Sequence, residues 1–401
     1  MRDTGIRPID ALRPGAGSEP GSERDDNAGA IPRHVPRDGR GALRSVDTRM
    51  VGGVQTTGSQ DPDTGSVSRW RGRAPGGGRA HGGAVRPSGG AAPDPGPCFD
   101  APVAPGGYAW WYLDAISDDG RRGLTLIAFV GSVFSPYYAW SRWKDPLDHC
   151  AFNVAIYSAS GSRWAMTERR RSSLVRDCSS LAIGPSHLSW DAGGLTAAFD
   201  EISAPLPARL RGSVRLMPQA SCQDAFALDA DGRHIWRPLA PRARVEVILT
   251  HPSCAWTGNA YFDANAGTEP MENAFSGWNW ARAHLPNETL LFYDVDRRDS
   301  GLEALALRVG ADGAIAAMDS PPRCVLPPTF WRVPRVTRAE PSEPPTVRRT
   351  LEDTPFYARS ILDGRHDGKP AEIVHESLSL DRLRSPIVRA MLPFRMPRAF
   401  A

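Results

Sequence analysis

The sequence predicts a mostly β protein, built as a sandwich or barrel of short strands. From residue 98 onward, apolar segments return at intervals of roughly 10–15 residues and are separated by Gly, Asp and Pro. These residue types favour turns, because Gly accepts positive φ, Pro fixes φ and Asp bonds to its own backbone. Long segments with the 3.6-residue period of an amphipathic helix are missing from the sequence. Short, regularly spaced strands of this kind are typical of all-β architectures.

The strands can be predicted in chain order. The first two are YAWWYLDAIS and LTLIAFVGSVF, and the DDGRRG sequence between them predicts a hairpin turn. The second of these is the longest apolar run, and a membrane span needs about 20 such residues, so it predicts a buried strand and no transmembrane helix. Further predicted strands are CAFNVAIYS, SRWAMTER, LAIGPSHLSWDAGGLTAAFDEIS, RLRGSVRLM, RVEVILT, TLLFYDV and LALRVGADGAIAAM.

The first 97 residues differ in composition from the remainder. They hold about half of the 39 glycines and almost no aromatic residue beyond Trp70. Such a segment buries too little apolar area to offset its ordering entropy, so residues 1–97 are predicted to be a disordered Gly/Arg/Pro-rich tail. The tail also lacks an apolar stretch followed by a cleavage site, so no signal peptide is predicted.

Charge, cysteine spacing and motifs exclude several functional classes. The net charge of +3 is too small to indicate a nucleic-acid partner. Six scattered cysteines without a C-x-x-C pair favour thiols in a reducing compartment over a disulfide framework or a zinc site. Phosphate loops, zinc-protease motifs, nucleophile elbows and dinucleotide fingerprints are all missing from the sequence. We therefore expect no cofactor and no metal.

Two alternating patterns contain the residues best suited to chemistry. They are His234-Ile235-Trp236 and Tyr261-Phe262-Asp263, in which residues two apart point to one face of a strand. Each pattern presents a pair of polar or aromatic side chains on one side. The pairs supply an imidazole, an indole, a phenol and a carboxylic acid, a set that suits acid chemistry on an apolar, π-rich substrate.

Simpler interpretations remain open for these residues. Asp263 could open a turn, because Asp and Asn favour such positions. Alternatively, aromatic neighbours desolvate its carboxylic acid, raise its pKa and keep it protonated near neutral pH. His234 could be a hydrogen-bonded structural histidine. His375 and Glu376 are predicted to be an isolated, solvated pair.

Eleven of the twelve tryptophans follow residue 97, which is a high density for a chain of this length. Ordinary core filling explains part of it, since Trp buries well in β-sandwiches. The alternative is an aromatic groove for an extended apolar ligand. Its predicted substrate-binding residues are Trp110, Trp111, Tyr112, Trp278 and Trp280.

Three segments resemble the carotenoid 1,2-hydratases of purple phototrophic bacteria, also called hydroxyneurosporene synthases. They are GGYAWWYLD at 106–114, LTLIAFVGSVFSPYY at 124–138 and GNAYFDAN at 258–265. The resemblance covers roughly residues 98–395. It implies tandem lipocalin-like β-barrel or sandwich units, which we place at residues 98–250 and 251–395.

The resemblance also implies an activity and a set of site residues. The activity is a cofactor-independent addition of water to the terminal C1=C2 bond of acyclic carotenoids such as neurosporene and lycopene. The family's proposed functional residues fall on His234, Trp236, Tyr261 and Asp263, with Asp263 as the proton donor. From the chemistry we expect Trp236 and Tyr261 to face the cation, and His234 to orient the acid or hold the water.

Two alternatives use the same groove. One is a non-catalytic carotenoid carrier, and the other is a related cyclase or pericyclase, since fold alone does not fix a reaction.

Because the substrate is a lipid, a peripheral location on the cytoplasmic side of the inner or photosynthetic membrane is expected. The mixture of Arg with Leu, Met and Phe in SPIVRAMLPFRMPRAF fits an interfacial segment. It equally fits an irregular tail packed on the fold. Other enzymes of the carotenoid pathway are possible partners.

Overall fold

The computed structural model describes residues 96–399, and most of the predicted disordered tail lies outside them. The first half of this range is almost entirely β-strand. Its strands are β1 (Tyr108–Ser117), β2 (Gly123–Val130), β3 (Cys150–Ser158), β4 (Gly161–Arg169), β5 (Leu174–Arg176), β6 (Ser180–Ile183), β7 (Ser186–Asp191), β8 (Gly194–Ile202), β9 (Arg209–Ala220), β10 (Phe226–Ala227), β11 (His234–His251) and β12 (Ser253–Gly267).

The second half continues in the same way. Its strands are β13 (Phe275–His284), β14 (Glu288–Arg297), β15 (Gly301–Gly310), β16 (Ile315–Ala317), β17 (Arg323–Val325), β18 (Val336–Arg338), β19 (Thr346–Asp353), β20 (Tyr357–His366) and β21 (Lys369–Ser379). The helices described are short. They are α1 (Pro136–Trp140), α2 (Met271–Ala274), α3 (Leu380–Leu383) and α4 (Pro386–Met391), with 3-10 turns at Pro146–Asp148, Arg171–Ser173 and Leu392–Phe394.

The strands form two large antiparallel sheets and one small hairpin. The first sheet runs β4-β3-β2-β1-β12-β11-β9-β8-β7-β6-β5, with β10 on β11, and it curls until β4 packs against β8. The second runs β16-β15-β14-β13-β21-β20-β19, and β17 pairs with β18. This confirms the mostly β prediction. The domain division at residue 250 stays a prediction; β12, assigned above to the second unit, pairs with β1 and β11 in the first sheet.

Strand β1 is buried along its whole length because both of its faces meet a core. Trp111 and Leu113 point into the core enclosed by the first sheet. Tyr108, Trp110 and Tyr112 point the other way, into the core between the two sheets. Since the side-chain period of a strand is two, this alternation decides which aromatic residues reach the space between the sheets.

Strand β11 is irregular next to this space. Its register on β12 shifts between Arg237 and Ala240, and again between Ala240 and Ala243. The two interruptions contain Pro238 and Pro241, which have no N–H to donate to the ladder. Bulges often re-aim side chains beside a site. Here the regular pairing before the first bulge sets Trp236 opposite Asn265.

Most predicted strands agree with the structure, and β1 and β3 have the predicted bounds. LTLIAFVGSVF is a strand only to Val130, because Gly131 turns the chain with a φ of +68°. The interpretation of Asp263 as a turn residue is wrong, because it lies well inside β12. No helix among residues 96–399 has the length and apolar character needed to cross a bilayer.

Candidate functional site

A cavity of about 450 Å³ lies between the two sheets. Its wall is largely aromatic and aliphatic, with a few polar side chains. The first sheet supplies Trp110, Tyr112, Thr125, Ile127, Phe129, Asn153, Trp164, Met166, Asp263 and Asn265, and the second supplies Trp278, Trp280, Tyr293, Glu352, Tyr357 and Glu376. This combination of apolar surface and few polar groups is typical of a small-molecule site.

Asp263 is the predicted proton donor, and the structure gives its surroundings. It is 4% exposed and lies on the cavity wall. Its Oδ2 accepts hydrogen bonds from Trp236 Nε1 at 2.9 Å and from the Tyr261 hydroxyl at 2.8 Å. Its Oδ1 accepts one from Asn265 Nδ2 at 3.2 Å.

Burial raises the pKa of Asp263 from 3.8 to about 8. The hydrogen bonds from Trp236 and Tyr261 oppose this rise, because they stabilise the carboxylate. The nearby Glu376 and Asp114 raise the pKa further by like-charge repulsion. The raised pKa favours the neutral carboxylic acid at pH 7, as the desolvated-acid interpretation expects.

Trp236 and Tyr261 are fully buried beside Asp263 and are not part of the cavity wall. Tyr261 lies two residues before Asp263 on β12, and Trp236 lies on the neighbouring β11. Their donor atoms point at the carboxyl group. The expectation that their ring faces meet the substrate does not fit this geometry, because both side chains lie behind the wall and donate to the Asp263 carboxyl group.

His234, which was expected to orient the acid or hold the water, does not line the cavity. Its Nδ1 shares a 2.8 Å hydrogen bond with the Tyr108 hydroxyl, and its Nε2 lies 3.5 Å from Glu269 Oε1. Burial lowers the pKa of His234, which favours a neutral ring. The Tyr108 ring stacks on Trp110 at 5.0 Å, and Trp110 lines the cavity. His234 thus reaches the site through two aromatic rings and makes no hydrogen bond to Asp263.

Four of the five predicted substrate-binding residues line the cavity. They are Trp110, Tyr112, Trp278 and Trp280. Trp111 does not, because it lies on the other face of β1, packs on Phe99 at 5.1 Å and donates to the Pro97 carbonyl at 3.0 Å.

Glu376 was not predicted as a site residue from the sequence, and the prediction of a solvated His375–Glu376 pair is wrong. Both residues are buried on β21, and Glu376 lines the cavity. Glu376 Oε1 accepts from the Tyr112 hydroxyl at 2.6 Å and from Arg359. Burial raises its pKa. Its burial could have been predicted from the sequence, because Val374 and Leu378, two residues before and after it, are apolar and share its face of the strand.

A buried ionic network lies behind Tyr112 and Glu376, two side chains of the cavity wall. Asp114 of the first sheet accepts from Arg282 of the second at 2.8 Å and lies 3.3 Å from Arg359. All three side chains are at most 2% exposed. Arg359 extends the network to Glu376. Residues from both sheets are thereby joined behind the polar wall.

Part of the cavity wall is apolar and exposed to solvent. Trp331, Met391 and Phe394 line it and are 40%, 45% and 75% exposed. Arg395, also on the wall, stacks over the Trp164 ring at 4.8 Å. We call Trp331, Met391, Phe394 and Arg395 the rim. Three of its four residues come from the C-terminal SPIVRAMLPFRMPRAF segment.

No three His, Cys, Asp or Glu side chains within residues 96–399 are grouped so that they could hold a metal ion.

Comparison with solved structures finds the AttH protein of Nitrosomonas europaea, at 16% identity over 74% of this chain and 98% of that one, with a TM-score of 0.48. A structure of CghA with Sch210972 matches 75% of this chain and 95% of that one at 12% identity and a TM-score of 0.44.

Proteins found by sequence comparison share a higher sequence identity with this chain than these structures do. The chain is 49% identical to an acyclic carotenoid 1,2-hydratase of Thiocapsa roseopersicina, over 99% of both chains. It is 46% identical to the same-named protein of Rubrivivax gelatinosus, over 99% of this chain and 98% of the relative. The family model for carotenoid hydratase CrtC matches residues 126–401. These matches confirm the resemblance drawn from the three segments: the chain belongs to the carotenoid hydratase CrtC family of enzymes.

Proposed function

We propose that this protein adds water to the terminal C1=C2 double bond of acyclic carotenoids such as neurosporene and lycopene, with Asp263 as the proton donor. The observation that carries the proposal is the buried carboxyl group of Asp263 in the wall of an apolar cavity, where burial raises its pKa. Protonation of C2 of a trisubstituted alkene gives a tertiary cation at C1, which water captures. The alkene has no heteroatom to polarise, so a positioned acid is the group that the first step needs.

We place the acidic proton of Asp263 on Oδ1 in this proposal. Oδ2 already accepts from Trp236 and Tyr261, so both of its lone pairs are used. Oδ1 is then the oxygen that would carry the proton. Two donors on Oδ2 also stabilise the carboxylate that forms when the proton leaves, which lowers the barrier in a site without bulk water.

The rings that face the cation are those of the cavity wall. Trp110, Tyr112, Trp278, Trp280 and Tyr293 all line it. Each ring close to the cation contributes roughly 0.5–2 kcal/mol through its quadrupole. Burial of the polyene end against this wall contributes about 25 cal/mol per Å² to binding. In this proposal His234 keeps Tyr108 and Trp110 in their stacked arrangement.

Mass-resolved chromatography tests the reaction. Lycopene or neurosporene is incubated anaerobically, without added cofactor, with the purified protein and with Asp263→Asn. Asp200→Asn, at the half-buried surface of β8, is the matched control. We expect a product heavier by one water with the parent and the control, and none with Asp263→Asn.

Other outcomes identify the alternatives. A product of unchanged mass would indicate a cyclase or rearrangement, and bound pigment without any product would indicate a carrier. Hydration that persists in Asp263→Asn would keep the reaction and remove Asp263 as the donor.

Access from a membrane is the second part of the proposal. Phe330, Ile387 and Phe394 are 85%, 75% and 75% exposed, in or next to the segments that form the rim. The rim residue Arg395 is exposed as well. Exposed aromatic and aliphatic side chains beside arginines suit insertion into an anionic bilayer surface, from which a carotenoid end could enter the cavity directly.

Vesicle flotation tests this surface. We expect the protein to float with vesicles that contain anionic lipid, and the Ile387→Ser/Phe394→Ser variant to float less. Val175→Ser removes an equally exposed apolar side chain on β5, which contributes nothing to the cavity wall, and serves as control. Equal flotation of all three proteins would refute the proposal that the rim and the segments beside it bind the membrane.

A further inference from the structure

Asn265 lies beside Asp263 on the same face of β12, and its two amide atoms have different surroundings. Nδ2 donates to Asp263 Oδ1 at 3.2 Å. Oδ1 has no hydrogen-bond partner among the described residues, although the side chain is only 5% exposed. Asn265 also lines the cavity. A buried amide oxygen without a partner is uncommon in proteins and calls for an explanation, such as a bound water or ligand group.

The position of Asn265 is fixed from both sides. Its backbone pairs with Trp110 of β1 on one side and with Trp236 of β11 on the other. Trp236 itself donates to Asp263. The backbone of Asn265 is therefore held between the strand that carries a cavity ring and the strand that carries Trp236. Its side chain leaves β12 on the same face as Asp263, and a group that donates to its Oδ1 would lie about 3 Å away.

We infer that Asn265 positions the water molecule that captures the cation. Its Oδ1 accepts one O–H of the water and leaves a lone pair of the water oxygen directed into the cavity. Since Nδ2 of the same amide is bonded to Asp263 Oδ1, the water and the proton donor are held side by side. The inference rests on the hydration proposed above and adds the residue that supplies the nucleophile.

The step balances without any further reactant. The O–H bond of Asp263 breaks as the π electrons of the alkene form the new C2–H bond, and C1 becomes cationic. The lone pair of the water held by Asn265 forms the C1–O bond. The resulting oxonium group loses a proton to the Asp263 carboxylate, which restores the acid. Water and alkene are consumed, and the tertiary alcohol is the product.

Deuterium partitioning separates proton transfer from water capture. In D2O, Asp263 delivers a deuteron to C2. A cation that water does not capture returns to an alkene by losing a proton, and it keeps the label whenever protium leaves. The ratio of labelled recovered carotenoid to hydrated product therefore measures failed capture. Because both arise from the same active molecules, the ratio does not depend on how much of a variant is folded.

We expect Asn265→Leu to raise this ratio about tenfold, the scale of one lost hydrogen bond. Asn265→Ala and Asn265→Ser are measured with it, in case leucine disturbs the strand. Only serine keeps an oxygen that can accept, so the ratio should rise more in the alanine variant. Asn259→Leu, on the same strand and face but outside the cavity wall, should match the parent.

An unchanged ratio in both Asn265→Leu and Asn265→Ala would overturn the inference and leave Asn265 a structural residue. If serine and alanine gave equal ratios, the accepting oxygen would be refuted as the cause. Absence of any hydrated product from the parent protein would instead refute the hydration itself, so the two failures are distinguishable.

Discussion

Replacing Asp263 with Asn should make the protein more stable while it removes the activity. A buried acid whose pKa is about 8, against 3.8 in the unfolded chain, keeps its proton in the folded state where the unfolded state has lost it. The folded protein therefore binds more protons between pH 4 and pH 8. Its free energy of unfolding then decreases as pH rises through this window, and the loss is complete above the folded-state pKa.

The magnitude follows from the separation of the two pKa values. One pKa unit corresponds to about 1.4 kcal/mol, so the loss is about 2 kcal/mol at pH 5, about 4 kcal/mol at pH 7 and about 6 kcal/mol above pH 8. Asn is neutral at every pH, so the Asp263→Asn variant does not undergo this loss of stability. The advantage of Asp263→Asn over the parent should thus grow by about 1.4 kcal/mol per pH unit from pH 4 to pH 8.

Urea unfolding followed by tryptophan fluorescence at pH 5, 6, 7 and 8 measures this difference. The packing of the new amide changes the free energy of unfolding of the variant by the same amount at every pH. The slope of the difference in free energy of unfolding against pH is therefore the quantity to compare. Other carboxyl groups titrate in both proteins and cancel in the difference. Parallel stability profiles, with no slope, would refute the claim that Asp263 is protonated in the folded protein at neutral pH.

Three further predictions concern the same site. The kcat/KM for hydration should be level below pH 8 and fall about tenfold per unit above it, as Asp263 loses its proton; a rate level to pH 10 would contradict this. Tyr261→Phe removes a donor that stabilises the carboxylate, so the alkaline limb of this profile should move up by about 0.7 pH units, and a downward shift would be inconsistent with the geometry. Arg282→Met leaves Asp114 buried with a weaker partner and should cost about 3–5 kcal/mol in urea unfolding, whereas a loss below 1 kcal/mol would show that Arg359 compensates.

The sequence predicted what depends on neighbours along one strand. Period-two alternation placed His234 with Trp236 and Tyr261 with Asp263 on common faces, and it identified β1 and β3 with their bounds. The long segments around Trp110 and Asp263 led to the correct family.

What the sequence could not predict is pairing between the two sheets. Tyr112 and Glu376 are 264 residues apart, and Arg282 and Asp114 are 168 apart. No local pattern encodes such contacts, so Glu376 was interpreted as solvated. The direction of the Trp236 and Tyr261 donors was also hidden, because it depends on the register of β11 on β12 and on the two proline bulges.

The buried network and the exposed rim together bear on how a long polyene would be bound. Asp114, Arg282 and Arg359 join the two sheets behind Tyr112 and Glu376, whereas the rim residues Trp331, Met391 and Phe394 are exposed to solvent. If the rim is the entrance, as proposed above, and the joined sheets leave no second opening, a chain enters tip first and leaves by withdrawal. A carotenoid with two reactive tips must then back out and turn round before its second tip can react. We therefore expect the singly hydrated compound to accumulate as a free species before any doubly hydrated one forms.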